Sequence, residues 1–61
     1  DGLEAIYVLH GPVEVEIDGA VTELATGDFL SYPAQLPHRY RSALGAAARV
    51  LLVEAHGAHA T

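Results

Sequence analysis

The chain has 61 residues and a net charge of −5, with eight acidic residues against three arginines, too few bases to form a stripe that follows the phosphates of a nucleic acid. It has no cysteine, so no disulfide supports a core that at this length rarely supplies more than about 3–5 kcal/mol, and a metal, a partner subunit or further chain must add the rest. A hydrophobic share of 51% fits a packed domain, yet no apolar run approaches the roughly 18–20 residues of a membrane span.

Six short strands are predicted in chain order, because runs rich in β-branched and aromatic residues lie between turn signals. The second run, VEVEI, alternates strictly, which places its valines and isoleucine on one face and its glutamates on the other. Asp18-Gly19 then predicts a type I′ hairpin turn, and residues 26–28 predict a second tight turn. Antiparallel strands this short predict a sandwich or barrel. The predicted strands are 4–10, 13–17, 20–24, 29–32, 38–42 and 48–55.

The predicted domain covers residues 1–55, and residues 56–61 form a flexible tail. The Ala-rich stretch 43–48 is too short, and too interrupted by glycine, to form a helix on its own. His56 and His59 form an H-x-x-H pair. A tail of glycine and alanine gives these two side chains no support as metal ligands, so we expect them to be disordered.

Two prolines, Pro33 and Pro37, stand four residues apart in GDFLSYPAQLPHRY. Proline cannot donate a hydrogen bond to a sheet, so both belong at strand ends, and His38 opens the next strand. Alternation along that strand places His38 and Tyr40 on one face and its two arginines on the other, where their charge stays hydrated. We therefore expect both ring side chains to face the interior. The alternative for His38 is a core histidine that donates one N–H to a backbone carbonyl.

The same alternation predicts that every second side chain of the first predicted strand also faces the interior. Glu4, Ile6, Val8 and His10 share one face, with His10 at the rim beside a turn. A carboxylate and an imidazole that face one interior are typical ligands of a metal or a small molecule. The rest of the interior is aliphatic, which favours a small, partly apolar ligand over a sugar phosphate. The aliphatic side chains expected inside are Ile6, Val8, Val13, Val15, Ile17 and Leu24.

Other side chains are expected to have structural roles. Glu14 and Glu16 are expected to pair across strands with Arg39 and Arg41, and such surface pairs contribute about 0–1 kcal/mol. The four aromatic side chains are expected in the core, and the one nearest the histidine also lines the pocket. These four are Tyr7, Phe29, Tyr32 and Tyr40.

The inward residues resemble the two sequence motifs of the cupin family. Glu4, six residues and Gly11 are similar to the end of the first motif, H-x-H-x3-4-E-x6-G. Gly27, five residues, Pro33, four residues and His38 are similar to the second, G-x5-P-x-G-x2-H-x3-N. The resemblance implies a partial cupin-type jelly-roll, a double-stranded β-barrel whose interior holds a small ligand or a divalent metal.

Departures from the motifs limit what the resemblance implies about a metal. Gln35 and Ser42 stand where the second motif has glycine and asparagine, and the His-x-His pair of the first motif would fall just before Asp1. Only Glu4 and His38 can be carried over as ligands, and the implied metal is a divalent ion such as zinc, iron, manganese or nickel. The first residue is not methionine, and no basic region or cleavage site of a signal peptide follows it, so we expect a trimmed domain that lacks its N-terminal strands.

A narrower resemblance is carried by three longer segments, IYVLHGPVEVEIDG, GDFLSYPAQLPHRYRS and ARVLLVE. They look like the C-terminal cupin domain of bacterial helix-turn-helix transcription regulators. The resemblance implies a sensor whose small-molecule effector binds inside the barrel, with DNA contacted by a separate helix-turn-helix domain. His38, Tyr40 and Glu4 are then the expected pocket residues, and a homodimer is the expected assembly. The missing cysteines fit a cytoplasmic protein.

Two other functions stay open at this point. A metal-dependent cupin enzyme, an oxygenase or an isomerase, needs a His-x-His pair immediately before the first residue. A ligand-free barrel that serves only as a dimerisation unit needs no site at all. The sequence contains no G-x-S-x-G serine motif, no phosphate-binding glycine loop and no H-E-x-x-H zinc motif. Any chemistry must therefore come from the barrel interior, and the three segments that resemble a regulator favour an effector-binding role over an enzyme.

Overall fold

The computed structural model describes residues 2–43 and 47–56. These residues form six β-strands and contain no α-helix. The predicted all-β class is therefore confirmed. Each observed strand end lies within two residues of its predicted position. The strands are β1 (Gly2–His10), β2 (Val13–Ile17), β3 (Ala20–Leu24), β4 (Phe29–Pro33), β5 (His38–Ser42) and β6 (Arg49–His56).

Both predicted turns are confirmed by their backbone geometry. Asp18 and Gly19 have positive φ angles of 51° and 87°, the combination that a type I′ hairpin turn requires. Gly27, with a φ of 90°, lies in the second turn. There the N–H of Asp28 donates to the carbonyl of Ala25 at 2.9 Å, and the Asp28 carboxylate accepts from the Ala25 N–H at 2.8 Å. The two turns set the directions of β3 and β4.

The strands form two antiparallel sheets, a first sheet in the order β4-β1-β6 and a second sheet in the order β3-β2-β5. Glu4 on β1 lies directly opposite Tyr32 on β4. Val15 and Ile17 on β2 lie directly opposite Tyr40 and His38 on β5. Directly opposite residues share a face of the sheet, so this register brings polar side chains of both sheets into the interior of a partial jelly roll.

The core lies between the two sheets and is aliphatic. Among the described residues, five aliphatic side chains that are at most 6% exposed form one cluster, two from the first sheet and three from the second. Each such side chain contributes roughly 1.5–3 kcal/mol when fully buried. The predicted aliphatic interior is confirmed, with Ile17 partly buried against the cluster. The five core residues are Ile6, Val8, Val13, Val15 and Leu24.

The end of β1 departs from simple alternation. The pairing of β1 with β6 shifts its register between Val8 and His10, and His10 is exposed. The prediction that the His10 side chain faces inward is therefore wrong, because the irregularity interrupts the alternation of β1. The prediction that His10 lies at the rim is confirmed. Just beyond, a side chain at Gly11 would lie 2.9 Å from Val8 Cγ1 and 3.2 Å from the carbonyl oxygen of Leu24. The close approach of the two sheets here requires glycine.

Two of the four aromatic side chains do not lie in the core. Tyr7 is 38% exposed and Phe29 is 62% exposed, whereas Tyr32 is buried. Tyr7 and Phe29 are register partners on the outer face of the first sheet, so alternation turns both rings away from the core, and their predicted burial is wrong. They form part of an outer apolar face, which we define as Leu3, Tyr7, Phe29, Leu51 and Val53.

The C-terminal boundary differs slightly from its predicted place. β6 extends to His56, one residue beyond the predicted domain end. The rest of the predicted tail, including His59, lies outside the described residues, as do residues 44–46 of the Ala-rich stretch. No helix within residues 2–43 and 47–56 has the length and apolar character needed to cross a membrane.

Candidate functional site

A cluster of four polar side chains lies on the inner faces of three strands. Glu4 comes from β1, Tyr32 from β4, and His38 and Tyr40 from β5. The structure thus brings together all three residues predicted to line the pocket, and it adds Tyr32. We refer to these four residues as the Glu4 cluster. Their arrangement follows from alternation along β5 and from the direct pairing of Glu4 with Tyr32.

One carboxylate oxygen is the centre of the cluster. Glu4 Oε1 accepts hydrogen bonds from the hydroxyl of Tyr32 at 2.8 Å and from that of Tyr40 at 3.3 Å. His38 Nε2 lies 3.2 Å from the same oxygen, and the two tyrosine hydroxyls also contact each other. The side chains of Glu4 and His38 are only 18% and 25% exposed, so these contacts form largely away from bulk water.

The hydrogen bonds of His38 define its chemistry. Its Nδ1 lies 2.7 Å from the carbonyl oxygen of Leu36, which can only accept, so Nδ1 carries a hydrogen and donates it. Nε2 then faces Glu4 Oε1, and one proton must lie between these two atoms for them to attract each other. Without that proton, Nε2 presents a lone pair to an incoming donor or metal. The expected backbone bond of a core histidine and the expected pocket position therefore occur together.

The two tyrosine rings flank the imidazole. Ring centroids lie 5.1 Å apart for Tyr32 and His38 and 5.9 Å apart for His38 and Tyr40, with the rings tilted by 51° and 44°. Aromatic pairs at such distances attract each other beyond the effect of burial alone. The imidazole is consequently held in place by two rings, one carboxylate and one backbone carbonyl.

Tyr40 is kept as a neutral phenol. Burial, and then the charge and hydrogen bond of Glu4 and the charge of Glu54, raise the pKa of Tyr40 from 10.0 to about 12. At neutral pH its hydroxyl therefore stays protonated and donates to Glu4. The contribution of Glu54 indicates that a second carboxylate acts on the cluster. Glu54 lies directly opposite Glu4 in the pairing of β1 with β6.

A cavity of about 260 Å³ adjoins the cluster at Tyr40. Three of its six lining residues are aliphatic, and its volume is close to the lower limit of typical ligand pockets, about 300 Å³. A smaller cavity of about 110 Å³ borders His38 and Arg39 at the turn between β2 and β3. The larger cavity is the one that combines an apolar wall with a polar end. Its lining residues are Val13, Tyr40, Arg41, Ser42, Ala48 and Val50.

The guanidinium groups of the two arginines of β5 pair with glutamates of β2, although Arg41 also borders the larger cavity. Arg41 Nε donates to Glu14 at 2.9 Å, and Arg39 Nε lies 3.6 Å from Glu16, which confirms the predicted cross-strand pairs. The arginine side chains are 75% and 80% exposed, so each pair contributes about 0–1 kcal/mol. Their charge is therefore directed to the outer face of the second sheet.

Two residues near the site were not predicted to belong to it. Tyr32 was assigned only to the core, although alternation in FLSYP places it on the same face as Leu30, which packs against the core. Glu54 carried no usable signal, because both faces of β6 are rich in aliphatic residues and alternation cannot identify the inner one. Its position becomes clear only from its pairing with Glu4.

The Glu4 cluster does not by itself form a metal site. Glu4 and His38 supply two candidate ligand atoms 3.2 Å apart, whereas catalytic zinc sites use three protein ligands. Within residues 2–43 and 47–56 no group of three or more histidine, cysteine, aspartate and glutamate side chains is arranged to hold a metal ion. The donor set among the described residues therefore does not fit a resident metal.

Comparison with known families gives one match. Residues 1–54 match a family model described as a cupin domain. The matched region contains the whole Glu4 cluster, both turns and every strand except the last two residues of β6. Neither curated proteins nor solved structures give a match to the chain.

Proposed function

Because the chain belongs to the cupin family, we propose that it senses a small molecule, which binds inside the barrel, as part of a bacterial transcription regulator. The observation that carries this proposal is the Glu4 cluster beside a 260 Å³ cavity. Ligand pockets typically combine apolar walls with a few converging polar groups that fix the orientation of the ligand. Here Tyr40 belongs to both parts, since it lines the cavity and donates to Glu4.

The regulator assignment rests on sequence and charge. Three segments resemble the sensor domain of helix-turn-helix regulators, and the net charge of −5 disfavours direct contact with DNA. Two of the three arginines are engaged by Glu14 and Glu16. In this proposal a separate helix-turn-helix domain contacts DNA in the cytoplasm, and this domain reports effector binding to it.

The outer apolar face supports a homodimer. Its five side chains are 38–62% exposed, and exposed apolar patches of this kind mark interaction sites. Between them, the outward positions of the sheet hold alanine, serine and proline rather than charged residues. An uncharged patch is complementary to itself, as a twofold interface requires. We propose that a second copy of the chain covers this face.

One observation favours a second candidate, a metal-dependent cupin enzyme. His38 Nε2 and Glu4 Oε1 point at each other from different strands, the atoms through which these residues bind metals. This function requires further ligands from outside the described residues. The dimerisation barrel without a ligand makes no use of the cluster or the cavity.

A small-molecule library tests the proposal. The library contains uncharged, cationic and anionic compounds of about five to ten non-hydrogen atoms. We expect some of them to shift the amide NMR resonances of Val13, Tyr40 and Val50 in the intact protein. Shifts confined to these cavity residues support effector binding. If no compound shifts them at millimolar concentration, the proposed function is wrong and the ligand-free barrel is favoured.

A further inference from the structure

Within residues 2–43 and 47–56, strand β5 pairs with β2 alone. At one end of this pair the N–H of Asp18 donates to the carbonyl of Pro37 at 2.8 Å, and beyond its other end the N–H of Ala43 donates to the carbonyl of Pro12 at 3.2 Å. Both bonds continue the register of the two strands. Hydrogen-bonded and non-hydrogen-bonded pairs alternate along an antiparallel ladder. The odd-numbered residues of β5 therefore direct their N–H and C=O groups to β2.

The even-numbered residues of β5 direct their backbone groups the other way, to an edge that no described strand covers. These residues are His38, Tyr40 and Ser42. By alternation their side chains share the inner face of the second sheet. An open edge presents N–H and C=O groups that can pair with another extended chain. β5 can therefore accept one more strand.

The 260 Å³ cavity reaches the backbone of this strand. Three consecutive residues of β5 line it, Tyr40, Arg41 and Ser42, although successive side chains point to opposite faces of a strand. Its aliphatic lining includes Val13 and Val50. A strand added to β5 would direct every second side chain inward. A valine or isoleucine side chain occupies roughly 90–120 Å³, at ~30 Å³ per carbon atom, and fits within this volume.

The charge on the outer face of β5 favours acidic residues at the outward positions of an added strand. Arg39 and Arg41 are 80% and 75% exposed, and Glu16 and Glu14 pair with them from β2 on one side. A guanidinium has five N–H donors. A strand on the other side of β5 can therefore place a second carboxylate against each arginine.

We propose that the open edge of β5 binds an extended peptide segment of a partner protein, in which acidic residues alternate with aliphatic ones. Its main chain pairs with the three edge-facing residues, its acidic side chains bind the two arginines, and one aliphatic side chain enters the cavity. In this mode of recognition, main-chain hydrogen bonds give affinity and pockets for alternate side chains give specificity. The inference goes beyond the proposed function, because it names a protein partner in addition to a small molecule.

A second copy of the chain does not suit this edge. A second β5 would place arginines opposite arginines, and like charges directly opposite each other destabilise a sheet. Of the six described strands only β2 carries two outward acids, Glu14 and Glu16, and it is already paired on both sides. The partner is therefore a different polypeptide.

Three acetylated and amidated pentapeptides, VEVEI, VQVQI and VKVKI, test the inference on the intact protein. Amide NMR shifts give the dissociation constants, and amide hydrogen exchange reports strand pairing. We expect VEVEI to bind about tenfold or more tightly than VKVKI, with VQVQI between them, and to slow exchange at Tyr40 and Ser42. Exchange at Val21 and Glu23, whose N–H groups face the open edge of β3 by the same alternation, should not change. Equal binding of the three peptides, or unchanged exchange at Tyr40 and Ser42, overturns the inference.

Two controls separate the main-chain contribution from the charge contribution. A VEVEI peptide with N-methylated amides keeps its side chains but cannot donate to β5, so it should not bind; binding as tight as that of VEVEI would show that strand pairing is wrong. The double variant Arg39→Gln/Arg41→Gln should reduce the preference for VEVEI over VKVKI to about twofold or less. Arg49→Gln, on β6, should leave this preference unchanged. A preference that survives the double variant contradicts the assigned role of the two arginines.

Two further outcomes also decide the question. If exchange at Tyr40 and Ser42 slows with rising protein concentration in the absence of peptide, a second copy covers the edge and the inference is wrong. If no peptide binds while a library compound shifts the resonances of Val13, Tyr40 and Val50, the peptide inference fails and the proposed function stands. If neither peptide nor compound binds, both fail.

Discussion

His38 is aimed at the interior by the turn that precedes it. Pro33 ends β4 and Pro37 stands immediately before β5, and the N–H of Leu36 donates to the carbonyl of Pro33 at 3.2 Å. The carbonyl of Leu36 then holds His38 Nδ1, and the carbonyl of Pro37 accepts from the N–H of Asp18. Two prolines four residues apart thus end one strand, start the next and orient the imidazole.

Tyr40 predicts an alkaline loss of stability. Its pKa rises from 10.0 to about 12 on folding, so the folded state binds the phenol proton more tightly than the unfolded state does. The stabilisation is therefore fully present below pH 10 and is lost as the pH rises to about 12. In urea denaturation across this range, the free energy of unfolding of the wild type should fall relative to that of Tyr40→Phe. A difference that stays constant with pH contradicts this assignment.

The alternation of polar and apolar residues predicted the strands. In the strands where the two kinds of residue alternate strictly, it also predicted which face is buried. It placed the side chains of VEVEI and HRYRS correctly, because a charged residue follows each inward one. It could not do so for β6, where leucine and valine occupy both faces, and Glu54 was missed for this reason. Nor could it show that Tyr7 and Phe29 are exposed, since apolar character alone does not reveal which face of a strand is covered.

The hairpin between β2 and β3 depends on the backbone of Gly19. Its φ of 87° is unfavourable for a residue with a side chain, while a Cβ there would meet nothing within 4 Å. Gly19→Ala should therefore lower the free energy of unfolding by about 1–2 kcal/mol through backbone strain alone. Asp18→Asn is the matched control, because asparagine suits the same turn. Chemical denaturation measures both, and equal stability of the two variants would show that the turn does not require glycine.

On the scale of the whole molecule, most of the large exposed hydrophobic side chains lie on the first sheet. Within residues 2–43 and 47–56, the aliphatic cluster between the sheets contains five buried side chains, a small core for a domain of this size. Burial of the outer apolar face would add apolar area without any change in the interior. In the functions proposed above, assembly and ligand binding would use opposite faces of the first sheet.

A charge on this face should separate the subunits. Phe29→Glu replaces a residue of the outer apolar face that is 62% exposed, and Val21→Glu replaces one on β3 that is 58% exposed. We expect the wild type and Val21→Glu to sediment as dimers at micromolar concentration, and Phe29→Glu as a folded monomer. A folded wild-type monomer, or a Phe29→Glu dimer, would show that the face is not the interface.

The most direct test of the central claim, that a small molecule binds beside the Glu4 cluster, compares His38→Ala with Arg39→Ala in titrations with a library compound that shifts the amide resonances of Val13, Tyr40 and Val50 in the wild type. His38→Ala should weaken binding about tenfold or more, or ~1.4 kcal/mol, as expected for the loss of one buried polar contact. Arg39→Ala should stay within about twofold of the wild type, because its side chain is 80% exposed and pairs with Glu16 on the outer face of the second sheet. Thermal melts of both variants establish that they are folded. Equal binding by folded His38→Ala and the wild type, with only a lower melting temperature for the variant, would contradict the account and leave His38 as a core histidine.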